Sequence, residues 1–283
     1  MPLMRPEDYP PQEPVSPFAQ AYTEGLLRRV DLGSGESCSY GADPYQSIAL
    51  FQPERPSGAV LAFMHGGGWT NGYKEMMGYM APAFRERGVL FASIGYRLAP
   101  RCMWPACFED AAAAVAWLFR NAAVYGGDPT RIFIGGRSAG AHLASLLAVR
   151  RDWQAAHGLA SDVLRGCISV SGVYLFGDGS GLSKRPQFLG PTEQNNEAAA
   201  SPLSNIQDTP PPFFISWGEK DFPHLIRQAE AMVAALRAAG ASVETMMLPG
   251  CDHLGTSGPT GDPNGTWVAK VHSMLGGAER TCG

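Results

Sequence analysis

Six stretches of this chain are mostly apolar. They are Val60-Leu61-Ala62-Phe63-Met64, Val89-Leu90-Phe91-Ala92-Ser93-Ile94, Ile132-Phe133-Ile134, Cys167-Ile168-Ser169-Val170, Phe213-Phe214-Ile215-Ser216-Trp217 and residues 243–248. A strand with one wet face alternates apolar and polar residues, so runs that do not alternate suit strands covered on both faces. Stripes of helical period lie between most of them. Phe108, Ala111, Ala112, Val115, Leu118 and Phe119 form one. Leu225, Ala229, Met232, Val233 and Leu236, stopped at Gly240, form another, and Trp267, Val268, Val271, Met274 and Leu275 form the last. Strands alternating with helices specify an α/β fold, with a mostly parallel central sheet and helices on both faces.

One sheet running from 58 to 276 predicts a single catalytic domain, residues 56–283, preceded by an arm, residues 1–55, packed on the core. The first 20 residues carry six prolines and are expected to be irregular. Residues 173–212 are rich in Gly, Ser, Pro and Asn and lie between two strands, which makes them a lid candidate. Phe188 within them is expected to govern selectivity more than stability.

Charge excludes some partners. Lys and Arg number 22 against 26 Asp and Glu, a net −4 with no basic stripe, which argues against nucleic acid or an anionic membrane surface. No apolar stretch approaches the roughly 20 residues that span a bilayer. No apolar core follows Arg5, so no signal peptide is expected. The six cysteines, Cys38, Cys102, Cys107, Cys167, Cys251 and Cys282, include no Cys-x-x-Cys pair and read as reduced thiols of a cytoplasmic protein. No Cys or His cluster has metal-ligand spacing. A homodimer is left open.

The most informative stretch is Arg131-Ile132-Phe133-Ile134-Gly135-Gly136-Arg137-Ser138-Ala139-Gly140-Ala141-His142-Leu143. A short strand runs into Gly-x-Ser-x-Gly and an apolar helix follows. The turn between them must be sharp, and Ser138 would project its hydroxyl from the tip as a nucleophile. Glycines at 136 and 140 would otherwise serve packing alone. No Gly-Lys-Ser/Thr ends the loop, so a phosphate-binding reading is poor.

Attack by Ser138 would place negative charge on a substrate oxygen. Backbone N–H groups stabilise such charge where side chains do not block them. His65-Gly66-Gly67-Gly68-Trp69 follows the first strong strand and offers that access. Gly67 and Gly68 are the expected donors, joined by the N–H of Ala139.

A serine hydroxyl needs a base, most often a His oriented by a carboxylate. Of six histidines, His253 follows a strand and sits on a loop, and is preferred. His142, one helical turn beyond Ser138, is second and reads better as core packing. Asp221, in Gly218-Glu219-Lys220-Asp221 after the strand 213–217, is the preferred acid, at a carboxyl strand end where open α/β sheets place ligands. Glu219 and Asp252 are the alternatives.

From about residue 55 onward the chain resembles the α/β-hydrolase superfamily, and within it the hormone-sensitive-lipase-like and kynurenine-formamidase-like carboxylesterases. The resemblance rests on His65-Gly66-Gly67-Gly68-Trp69, Tyr96-Arg97-Leu98-Ala99-Pro100, Phe108-Glu109-Asp110, Gly127-Asp128-Pro129 with Arg131-Ile132, Gly136-Arg137-Ser138-Ala139-Gly140, Ser201-Pro202-Leu203, Gly218-Glu219-Lys220-Asp221 and His253. It implies a Ser138–Asp221–His253 hydrolase with its oxyanion hole at Gly67, Gly68 and Ala139, and no cofactor. Departures are Arg101 where lipase-like relatives carry Glu, Asp221-Phe222-Pro223-His224 in place of Asp-Pro-Leu, a shorter arm, and Arg137 before the nucleophile. The first three favour the compact formamidase-like branch. Arg137 reads as a structural ion pair or as a charge near the acyl pocket.

The function expected is hydrolysis of small to medium carboxylic esters. The alternative is an arylformamidase acting on a formamide such as N-formylkynurenine. A non-catalytic binding protein on this fold would be expected to lack the nucleophile or the base. Trp69, Tyr73, Tyr174, Phe176 and Phe188 are the expected pocket walls.

Overall fold

A computed structural model describes residues 1–276. Its strands are β1 (Glu36–Ser39), β2 (Ser47–Phe51), β3 (Gly58–Met64), β4 (Leu90–Ile94), β5 (Gly127–Arg137), β6 (Leu164–Val170), β7 (Phe213–Lys220) and β8 (Val243–Asp252). Its helices are α1 (Pro17–Leu27), α2 (Ala81–Arg85), α3 (Ala106–Asn121), α4 (Ala139–Val149), the single turns α5 (Trp153–Ala156) and α6 (Glu197–Ala200), α7 (Pro223–Ala238) and α8 (Thr266–Gly276). The strands form one sheet in the order β1-β2-β4-β3-β5-β6-β7-β8. From β4 across to β8 every pairing is parallel, and β2 joins β4, and β1 joins β2, antiparallel.

Five of the six apolar runs are buried, Trp217 apart, because both faces are covered; the sixth, residues 243–248 in the edge strand β8, is buried only at Leu248, a departure from the expectation. Side chains along a strand point alternately to opposite faces. Val60, Ala62 and Met64 of β3 therefore join one core, with α3, α4 and α7. Ala59, Leu61 and Phe63 join the other, with α2 and α8. Ile132 and Ile134 divide from Phe133 in the same way on β5. Helix α4 is buried at all 11 positions, so the element that follows Ser138 is locked in the centre of the molecule.

The sheet begins earlier than the sequence suggested. Residues 36–51, expected in the arm, supply β1 and β2. β1 is a polar edge strand, Glu36-Ser37-Cys38-Ser39, which an antiparallel edge tolerates and an apolar scan passes over. β2 is short but buried at all five positions. Residues 1–35 are the true arm, and they include α1, capped by Ser16 and opened by Pro17. A buried cluster holds the arm down. Lys74 Nζ lies 2.7 Å from Glu75 Oε1 and donates to the Tyr9 hydroxyl at 2.6 Å, which donates to Glu75 Oε2 at 2.9 Å. Five cysteines are free thiols, and Cys282 lies outside the described residues. Among the described residues no helix is long and apolar enough to cross a membrane.

The segment 173–212 is docked rather than loose. Gln228 on α7 accepts from the N–H groups of Tyr174 and Leu175 at 2.7 and 2.9 Å, and donates to the Ser180 carbonyl at 2.6 Å. Residues 181–187 are half-buried or exposed, whereas Phe188 and Leu189 are buried. Phe188 is 1% exposed and stacks on Trp69 with ring centroids 4.2 Å apart. The expectation that Phe188 acts on selectivity more than stability is thereby corrected, because its ring is part of the core. Phe188→Ala should cost about 3–5 kcal/mol. Thermal or urea unfolding measures it, and an unchanged midpoint would contradict this placement.

Candidate active site

Ser138 sits between β5 and α4 with φ 55° and ψ −118°, a region that L-residues rarely enter. The glycines on either side explain how it is held there. A Cβ on Gly136 would lie 2.2 Å from the Gly140 carbonyl carbon, and one on Gly140 would lie 2.2 Å from the Met64 carbonyl oxygen. Only glycine allows the start of α4 to press against β3 and β5. The Ser138 N–H donates to the Val170 carbonyl at 2.9 Å.

Three parallel strand ends deliver the polar groups. Ser138 follows β5, Asp221 follows β7 and His253 follows β8. Ser138 Oγ is 3.0 Å from His253 Nε2, and His253 Nδ1 is 2.8 Å from Asp221 Oδ1. A carboxylate only accepts, so Nδ1 carries the proton and Nε2 accepts from the serine hydroxyl. Burial alone would push the Asp221 carboxyl up. The hydrogen bond and charge of His253, with hydrogen bonds from the Ser171 hydroxyl and the Phe222 N–H, outweigh it and hold the pKa below the ordinary value. Glu219, the alternative acid, instead accepts from the Gly250 N–H at 2.7 Å.

The glycine loop after β3 is tightly wound. Gly67 and Gly68 have φ 126° and 62°, and a Cβ on Gly67 would lie 1.9 Å from the Asn71 carbonyl oxygen. Among the described residues, no group accepts a hydrogen bond from the N–H of Gly67, Gly68 or Ala139. His65 braces the loop from beneath. Its Nδ1 donates to the Gly66 carbonyl at 2.8 Å, and its ring stacks on Tyr96 at 4.4 Å. The arm braces it from outside, where Gln12 exchanges two hydrogen bonds of 2.9 Å with the backbone of Gly72. No group of three or more His, Cys, Asp or Glu among the described residues is placed to hold a metal ion.

Residues 48–236 match the BD-FAE family. The chain belongs to the BD-FAE family. Esterase LipQ of Mycobacterium tuberculosis is 36% identical over 208 residues, which make up 69% of this chain and 49% of that protein. A probable isoprenylcysteine alpha-carbonyl methylesterase of Oryza sativa is 31% identical over 238 residues, 77% of this chain and 56% of that one. The chain thus spans about half the length of these curated relatives. A solved arylesterase aligns with a TM-score of 0.74 at 21% identity, covering 90% of this chain and 88% of the other. A thermophilic esterase of the Planctomycetes species Thermogutta terrifontis aligns at 0.67 and 24% identity, covering 80% and 87%. Both likenesses are of fold, and the fold is that of the α/β-hydrolases.

In this BD-FAE chain the expected pocket aromatics occupy a different place. Trp69, Phe176 and Phe188 form one buried cluster with His142. The Trp69 indole N–H donates to His142 Nδ1 at 3.0 Å, and His142 Nε2 donates to the Ala200 carbonyl at 2.7 Å. The cluster ties the glycine loop to the segment 173–212 from behind. Tyr174 has no exposed surface, and its hydroxyl is 2.6 Å from Ser169 Oγ. Tyr73 packs on Tyr9 of the arm with centroids 5.1 Å apart. The open aromatic at the site is Phe222, which the sequence reading noted only as a departure from a motif. It is 52% exposed, 5.2 Å from the His253 ring, and nearly parallel to His224 at 5.7 Å. Ser171, a second partner for Asp221, was also missed, because nothing in a strand-end serine signals its role.

Burial lowers both His65 and His142 to a pKa of about 4. The unfolded chain, with imidazoles near 6.5, therefore binds protons between about pH 6.5 and 4 that the folded chain does not. Stability falls as pH falls through that window, on the order of 2 kcal/mol for each group by about pH 5. His142→Gln keeps an acceptor and a donor but has nothing to protonate. Its melting temperature should drop less than the parent's between pH 7.5 and 5. Equal drops would show that His142 carries none of the acid sensitivity.

Proposed function

We propose that this chain is a serine hydrolase of carboxylic esters, with Ser138 as nucleophile, His253 as base and Asp221 as the orienting acid. The hydrogen-bonded sequence Ser138–His253–Asp221 carries this reading. His253 Nε2 takes the hydroxyl proton as Ser138 Oγ attacks the ester carbon. The oxygen gains negative charge and accepts from the N–H groups of Gly67, Gly68 and Ala139. His253 then gives its proton to the leaving alcohol. Water enters and gives a proton to His253 as its oxygen bonds to the acyl carbon; the bond to Ser138 Oγ then breaks, His253 returns the proton to that oxygen, and the acid leaves. Asp221 stays ionised and stabilises the imidazolium.

The names of the relatives favour esters over formamides. Formanilides belong in the same assay, since an arylformamidase would use the same groups. The exposed Phe222 ring supports substrates whose alcohol is apolar or aromatic. It lies on the imidazole side, and the imidazole protonates the departing alcohol. The free thiols support a cytoplasmic setting.

Ser138→Ala should lower kcat by about 10⁶-fold in a protein that melts normally. Asp221→Asn should cost less than His253→Ala, because the acid transfers no proton. A fluorophosphonate probe should label the parent and not Ser138→Ala. Substantial esterase activity in Ser138→Ala, or labelling elsewhere, would contradict the reading. Phe222→Ala should lower kcat/KM for a benzyl ester relative to a methyl ester of the same acid by about tenfold, the size of one aromatic contact. An unchanged ratio would remove Phe222 from the alcohol side.

A further inference from the structure

Arg137 is the last residue of β5 and immediately precedes Ser138. Sequence reasoning offered it a structural ion pair or a charge near the acyl pocket. Among the described residues no carboxylate pairs with it, although it is only 4% exposed. Its guanidinium is spent on the loop that carries His253. Nη2 donates to the carbonyl oxygen of His253, and Nε donates to Thr256 Oγ1 at 3.0 Å. The Thr256 hydroxyl donates to that same His253 carbonyl at 2.9 Å. Arg137, Thr256 and the His253 backbone thus close a small ring of hydrogen bonds. The face of Tyr22, on α1 of the arm, lies 5.2 Å from the guanidinium carbon.

We infer that Arg137 is a positioning residue, which sets the His253 loop in register with the nucleophile beside it. His253 follows the last residue of β8 and is not itself part of the sheet. Beside Asp221 and Thr256, two consecutive residues of the β5 end hold it. Ser138 meets its imidazole and Arg137 its backbone carbonyl. β5 lies in the middle of the parallel sheet, so both contacts refer the base to one rigid origin. A charge-assisted hydrogen bond is about twice as strong as a neutral one, and a planar guanidinium fixes direction as well as distance. A buried cation without a counter-ion is costly for folding. Its presence here is explained by alignment of the base rather than by stability.

The inference rests on His253 being the base, and the two fail differently. If that reading fails, His253→Ala or Ser138→Ala stays active. If only this inference fails, His253→Ala and Ser138→Ala are both inactive while Arg137 variants are not. The test measures kcat, KM, the rate of fluorophosphonate labelling and the melting temperature for Arg137→Met, Arg137→Lys and Thr256→Val. A misplacement of about 1 Å costs on the order of 10²-fold in rate. Arg137→Met should therefore lose about 10²-fold in kcat and in labelling rate, with KM nearly unchanged and a melting temperature equal to or above the parent's. Arg137→Lys, which keeps the charge but has no planar fork, should recover part of that loss. Thr256→Val, which removes one side of the ring, should lose about tenfold in kcat. A kcat within threefold of the parent in Arg137→Met would overturn the inference, as would a rise in KM at constant kcat, which would mean contact with substrate. If Arg137→Met does not fold, Thr256→Val decides, and an unchanged kcat there overturns it.

Discussion

The close approach of α4 to β3 and β5 is the constraint on which the rest depends. Gly136 and Gly140 lie where any side chain would collide with backbone, so the chain can reverse there within one residue. That residue is Ser138, held at positive φ by the sheet on one side and a wholly buried helix on the other. Strain of this kind, of order 1–3 kcal/mol, persists only where the surroundings over-determine it. Here they do, because two cores, one on each face of the sheet, fix β3, β5 and α4 together.

With that origin fixed, the other groups arrive by topology. Parallel strands end on the same side, so residues just beyond β5, β7 and β8 meet without long excursions. The glycine loop after β3 faces the same end and is braced twice, by His65 and Tyr96 from within and by Gln12 from the arm. Arm and sheet thus act on one site from opposite sides. Gln12 steadies the glycine loop, while Tyr22 covers the cation that grips the His253 loop.

Much of this was legible in the sequence, for physical reasons. Buried parallel strands must be apolar throughout, and a sharp strand-to-helix turn must use glycine, so β3 to β7 and the elbow were written in residue type. His253 and Asp221 were legible because they follow strands. β1 and α1 were not, because an edge strand and a proline-opened surface helix need few apolar residues. The aromatics near the site misled. Trp69, Phe176 and Phe188 read equally well as wall or core, and only packing against His142 decides for core. Arg137 was seen but its partner was not, since a backbone carbonyl 116 residues away leaves no mark in sequence.

A preformed site is proposed to receive charge beside a strained serine. A crystal structure of the protein inactivated with diethyl fluorophosphate tests it most directly, because the adduct fixes the oxygen where charge would develop. The expected result is a covalent bond to Ser138 Oγ and a phosphoryl oxygen about 2.7–3.1 Å from the backbone nitrogens of Gly67, Gly68 and Ala139. An adduct on another residue, or a phosphoryl oxygen turned away from all three nitrogens, would contradict it.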